Sequence, residues 1–242
     1  MGKAVFITGT GTEVGKSALS LAFLIWARQQ GLRTAYYKPI QCGTFPFGNP
    51  PQPCGDQDWI SVLIGDTQIS HVTYKLRMAA SPHLAAEQEG ITIDLGLIRR
   101  DLESLCNTCD LVVMEGVGGA AVPVNRKGTS LASLATDMSL PHLIVCSPGL
   151  GTLHHTLTTW AYLKSLEARM TGFVFSHLSS ELPATCADNR TTLQALLDLP
   201  CFGELPFCPE LGQGGKAFQP KAAAWLAPIA PSLEAWWNRE RK

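Results

Sequence analysis

Near the start of the chain, Gly9-Thr10-Gly11-Thr12-Glu13-Val14-Gly15-Lys16-Ser17 has the make-up of a loop that holds phosphate. Backbone N–H groups of such a loop converge on phosphate oxygens, helped by the N-terminus of the helix that follows. Lys16 then reaches the β- and γ-phosphates, and the Ser17 hydroxyl ligates Mg²⁺. The spacing departs from the usual pattern at one place: Thr10 stands where the first glycine is expected, and Gly9 lies one residue earlier. Two further signals follow apolar runs. Lys38-Pro39-Ile40-Gln41-Cys42-Gly43 offers a second lysine, and Glu115-Gly116-Val117-Gly118-Gly119 offers an acid, placed to bind a nucleotide's Mg²⁺, with glycines that admit a ligand close to the backbone. Asp56 and Asp58 supply another carboxylate for the cation, with helix capping as the alternative. A lysine, a hydroxyl and carboxylates around a phosphate loop are the parts of phosphoryl transfer.

These residues need a scaffold that delivers them to one place. Short apolar runs at 3–8, 33–37, 110–115, 141–146, 170–175 and 202–206 alternate with helix-length runs at 16–30, 57–64, 93–106, 129–136, 152–167, 185–198 and 231–240. Continuous apolar strands separated by helices predict an α/β fold: a parallel sheet of the phosphate-loop NTPase kind, with helices on both faces. Right-handed crossovers put every strand's C-terminal end on one edge, where ligands bind. Pro39 is expected to turn the chain out of the sheet. The segments 44–56 and 207–231, rich in Pro and Gly, read as irregular surface loops, and Ser81-Pro82 as turn punctuation. No repeat or linker interrupts the sequence, so 1–242 is expected to be one domain.

Composition narrows the function. The 242 residues are 45% hydrophobic and 16% charged, with 19 Lys+Arg against 20 Asp+Glu. That balance supports a substantial core and gives no global basic field for nucleic acid. No apolar stretch is long enough for a membrane span, and the N-terminus runs directly into the first strand without a signal segment, so a cytoplasmic protein is expected. The eight cysteines at 42, 54, 106, 109, 146, 186, 201 and 208 include one CxxC, Cys106-Asn107-Thr108-Cys109. A zinc site wants a second pair, so these read as two small residues at a helix end, and no disulfide framework is expected.

Taken together, Thr8 through Ser17, Lys38-Pro39-Ile40, Gly55-Asp56, Ala80-Ser81-Pro82-His83, Glu115 through Gly119 and Gly203-Glu204-Leu205-Pro206 resemble the dethiobiotin synthetase family in order and spacing, over roughly residues 3 to 211. The resemblance implies a homodimer that converts 7,8-diaminononanoate, CO₂ and ATP into dethiobiotin, ADP and phosphate. The route runs through a carbamate and a carbamic–phosphoric anhydride. It implies that Gly11, Thr12, Glu13, Val14, Gly15, Lys16 and Ser17 hold the phosphates. Ser176, Pro206 and Glu210 flank the base. Thr12, Lys38, Cys42, Ser81, Gly118, Leu150 and His154 face the diamine or its carbamate, the last two from the neighbouring subunit. Ser17, Asp56 and Glu115 surround Mg²⁺, and Lys16, Lys38 and Thr12 serve catalysis.

Three positions depart from the family. Cys42 stands where many members carry a hydroxyl, Ser176 where an Asn reads adenine, and His154 where an Asn reaches the diamine. A lone hydroxyl cannot copy an amide's paired donor and acceptor, so weaker selection of ATP over other triphosphates is expected. His154 either pairs with the substrate carboxylate or packs. Two rivals share the loop: a partitioning-type ATPase switch, which typically carries a second lysine inside the loop where this chain has Thr10-Gly11-Thr12-Glu13, and a nucleotide-binding relative that has lost turnover.

Overall fold

The computed structural model describes residues 2–44, 55–66, 69–180 and 184–242. The strands are β1 (Lys3–Gly9), β2 (Thr34–Cys42), β3 (Ser70–Leu76), β4 (Leu111–Glu115), β5 (His142–Cys146), β6 (Met170–Ser176) and β7 (Cys201–Leu205). They form one seven-stranded sheet in the order β3-β2-β4-β1-β5-β6-β7, and every pairing is parallel. The helices of the crossovers are α1 (Lys16–Gln29), α2 (Asp56–Ile64), α3 (Pro82–Gln88), α4 (Leu95–Thr108), α5 (Leu131–Asp137), α6 (Thr152–Ser165) and α7 (Thr185–Leu196).

Strand periodicity divides the interior in two. Val5 and Ile7 face one core with α1 and α2, while Ala4 and Phe6 face the other with α4, α5, α6 and α7. Both faces being covered explains why β1, β4 and β5 read as unbroken apolar runs. Four expectations are corrected. β3 was not expected; it is an edge strand whose Ser70, His71, Thr73 and Lys75 break the apolar run. Pro39 does not expel the chain, because β2 continues to Cys42 beside β3. Tyr36 donates its N–H to Ile69 on the β3 side. By the period of two, Pro39 therefore turns its donorless nitrogen toward β4, where pairing has ended at Tyr37–Met114.

Ser81-Pro82 opens α3, with Pro82 in the first turn, where its missing N–H costs nothing. The segment 207–231 is largely helical rather than irregular. It contains α8 (Gly215–Phe218) and α9 (Ala222–Leu226) and leads into α10 (Ala230–Glu240). Phe218, Trp225, Leu226 and Ile229 pack into the core on α1's side. The loop expected at 44–56 lies mostly outside the described residues. Among them, no helix is long and apolar enough to cross a membrane.

Candidate active site

The phosphate loop is shaped by two residues in left-handed conformation, Glu13 at φ 57° and Gly15 at φ 96°. Gly15 is required twice over: an L side chain is strained at that φ, and a Cβ there would overlap the Ser176 hydroxyl at the end of β6. Lys16 opens α1 and folds back, so that its Nζ donates to the Gly11 carbonyl at 2.7 Å. Burial pushes the Lys16 ammonium down to about 8; Glu115 opposes that shift and Lys38 adds to it. A phosphate arriving in the loop would compete with one backbone carbonyl for this lysine.

Beside the loop, β2 and β4 deliver a lysine and an acid into one buried cluster, joined by Asp56 from the first turn of α2. Lys38 Nζ lies 2.7 Å from Glu115 Oε1 and 2.8 Å from Asp56 Oδ2, and it donates to the Gly116 carbonyl at 3.1 Å. Burial alone would lower the Lys38 pKa, but Glu115 and Asp56 outweigh it and the net shift is upward, so the group stays cationic. Burial would likewise raise Asp56, yet Lys38 overrides it and holds that carboxyl below its usual range. Lys16 and Lys38 balance Asp56 and Glu115, so the cluster carries no excess charge. The Gln41 side-chain oxygen accepts from the Asp56 N–H at 3.1 Å and fixes where α2 begins. Asp56 rather than Asp58 therefore joins the cluster.

The Ser17 hydroxyl lies 2.8 Å from Asp56 Oδ1 and 2.9 Å from Glu115 Oε1. It has one proton for two carboxylates, so one of these short contacts is repulsive unless a cation sits among the three oxygens. That donor set fits Mg²⁺. No group of three or more His, Cys, Asp or Glu suited to a metal exists among the described residues. Mg²⁺ characteristically takes one or two carboxylates and completes its shell with phosphates and water.

The remaining expected residues divide by location. Thr12 and Gly118 face each other: a Cβ on Gly118 would stand 3.7 Å from Thr12 Oγ1. Ser81 leads into α3 and its hydroxyl makes no capping bond. Cys42 ends β2, and burial pushes its thiol up to about 11. Ser176 is buried against Gly15. Pro206 is exposed after β7, with its carbonyl accepting from Trp225 Nε1, and Glu210 accepts from the Cys208 thiol at 3.2 Å. Leu150 is 98% exposed just before α6. His154, also exposed on that helix, touches the His155 ring. Neither is part of the lysine–acid cluster.

Comparison with known proteins agrees with this geometry. The family model described as "AAA domain" matches residues 3–214. An ATP-dependent dethiobiotin synthetase BioD from a Geobacillus species is 39% identical over 210 residues, 85% of each chain. The chain belongs to the dethiobiotin synthetase family. The namesake from Geobacillus kaustophilus is 31% identical, covering 93% of both chains. Among solved structures, MinD cell-division proteins from Aquifex aeolicus (TM-score 0.61, 12% identity, 98% of this chain and 97% of that one) and Pyrococcus furiosus (0.59, 15%, 98% and 100%) share the fold. As a dethiobiotin synthetase family member the chain is an ATP-using ligase.

Three residues of the cluster carry no motif of their own. Ser20 and Tyr36 both reach Glu115 Oε2, at 2.8 and 3.0 Å, and Gln41 holds Asp56. The sequence does carry a faint signal for the first two. Ser20 stands one helical turn after Lys16, and Tyr36 stands two residues before Lys38, on the same strand face.

Proposed function

We propose that the chain carboxylates and closes 7,8-diaminononanoate with CO₂ and ATP, giving dethiobiotin, ADP and phosphate. One observation carries this reading: a second lysine, from β2 rather than from the phosphate loop, is buried beside the loop's own lysine and serine. In the proposed sequence, one substrate amine adds to CO₂ and loses a proton, giving a carbamate. A carbamate oxygen attacks the γ-phosphorus and ADP leaves. The second amine then attacks the carbamoyl carbon and expels phosphate, closing the cyclic urea.

Carbamate and triphosphate repel, so neutralising charge and holding the two in line is most of the work. Lys16 moves from the Gly11 carbonyl onto the transferring phosphoryl group. Lys38 gives up Asp56 and holds the carbamate and its phosphorylated form. Ser17, Asp56 and Glu115 would hold Mg²⁺, which would supply positive charge to the triphosphate. Thr12, Ser81 and the Gly118 backbone line the diamine, with Cys42 at the end of β2. Gly11 through Ser17 cradle the phosphates, while Ser176, Pro206 and Glu210 border the base. Leu150 and His154 reach the diamine of a second subunit in a homodimer, which would explain so exposed a leucine. The seven described cysteines are all free thiols, in keeping with a reducing cytoplasm.

Phosphate release from ATP tests the reading. Release that needs both diaminononanoate and bicarbonate is expected, with dethiobiotin identified by mass. Release stimulated instead by DNA or lipid would point to a partitioning switch, and no release at all to a relative without turnover.

A further inference from the structure

The two oxygens of Glu115 have different surroundings. Oε1 faces the cluster, with Lys38 Nζ at 2.7 Å and Ser17 Oγ at 2.9 Å. Oε2 faces inward and meets two hydroxyls, Ser20 Oγ at 2.8 Å and Tyr36 OH at 3.0 Å. The Ser20 oxygen also lies 3.0 Å from the Lys16 carbonyl, so its single proton is shared between two acceptors. Among the described residues the Tyr36 hydroxyl meets no second acceptor. Tyr36 is fully buried in β2, and its phenol has one proton to give to Glu115.

A glutamate carboxylate is otherwise poorly fixed, because its terminal torsion is broad and roughly two-fold. In this buried position, rotation by a quarter turn would pull Oε1 away from Ser17. We propose that Tyr36, assisted by Ser20, is a positioning residue that locks the Glu115 carboxylate so that Oε1 alone is presented to the cation beside Ser17. Occupying Oε2 also prevents the carboxylate from gripping a cation with both oxygens, which suits the strict octahedral shell of Mg²⁺. The inference rests on the reading that Ser17, Asp56 and Glu115 hold the metal. It concerns a hydroxyl that touches neither metal nor substrate.

The test is Mn²⁺ binding to the full chain in the presence of ADP, read from the spectrum of free Mn²⁺ by electron paramagnetic resonance. Binding of metal-free ADP is measured alongside by calorimetry. Outer hydrogen bonds to metal ligands are typically worth about 10- to 100-fold in metal affinity. Tyr36→Phe should weaken Mn²⁺ by about 10-fold, at the low end of that range because Ser20 remains. Metal-free ADP affinity should hold, and raising the metal concentration should restore turnover without moving the KM for the diamine. Ser20→Ala, which strips the other donor from the same oxygen, should show the same signature and decides the matter if Tyr36→Phe does not fold. Wild-type Mn²⁺ affinity in either folded variant, or an equal loss of metal-free ADP, overturns the inference. Wild-type protein that binds no Mn²⁺ with ADP, or full affinity retained in Glu115→Gln, removes the metal reading and this inference with it. That failure shows in those two proteins rather than in Tyr36→Phe.

Discussion

The two halves of the sheet's C-terminal edge are built on different plans. On the β1–β2–β4 side, Ser17, Lys38, Asp56 and Glu115 are tied to one another by bonds of 2.7 to 2.9 Å, Lys16 is held by the Gly11 carbonyl at 2.7 Å, and Glu115 and Lys38 are buried. On the β5–β6–β7 side, Leu150, His154 and Pro206 are exposed and, among the described residues, share no network with one another or with Ser176. Gly15 against Ser176 joins the halves, as does the Thr10 N–H on the Val145 carbonyl at 3.1 Å. Buried charge tolerates no loose partner, so the half proposed to handle phosphate and carbamate must be preorganised. In the proposed function, the half that would meet the base and a second subunit is completed by what binds there. Of the three expected departures from the family, Ser176 and His154 fall in the open half and Cys42 ends β2 on the tight side, and none of the three is a partner in the buried charge cluster.

Breaking the tight half should cost most. Lys38→Ala leaves two acids without their shared counter-ion. Removing one partner of a buried pair costs about 3–5 kcal/mol of stability, read by denaturant unfolding, and turnover should fall further than ADP affinity. Lys16→Ala should lower kcat by about 100- to 1,000-fold, the scale seen when one preorganised charge-stabilising donor is lost. Gly15→Ala tests the seam between the halves. Left-handed strain alone costs about 1 kcal/mol, overlap with Ser176 adds to it, and Ser176→Gly should return part of the lost ADP affinity. Leu150→Asp probes the open half: unfolding stability should stay within about 0.5 kcal/mol, as for an ordinary surface change, while light scattering shows monomers.

The smallest effect lies away from both halves. Arg33 holds Asp110 through its backbone N–H and guanidinium, and these bonds depress the Asp110 carboxyl to about 2 from 3.8. Because the folded pKa is the lower, this contribution is complete above the unfolded value and disappears as pH falls toward 2. Asp110→Asn should flatten the acid limb of the unfolding curve between those values.

How much the sequence disclosed follows the same division. Buried parallel strands must be apolar along their whole length, so β1, β4 and β5 could be read directly, as could the motif residues at their ends. β3 escaped because an edge strand needs no such run, and Ser70, His71, Thr73 and Lys75 disguise it. Ser81-Pro82 looks like a turn because proline both stops a helix and starts one. The glycines and prolines of 207–231 conceal Phe218 and Trp225, which are fixed by packing on the core beside α1. In the site, Lys16, Ser17, Asp56 and Glu115 stand in recognisable spacings. Tyr36, Ser20 and Gln41 do not, since a residue that orients another is visible only once the chain has brought the two together.

Oxygen bookkeeping offers the sharpest check on the chemistry assigned to Lys16 and Lys38. If a carbamate oxygen attacks the γ-phosphorus and stays with phosphorus when the urea closes, bicarbonate labelled with ¹⁸O should pass one labelled atom to each phosphate formed in the first turnovers. Phosphate free of the label, from reactions that still yield dethiobiotin, would contradict it.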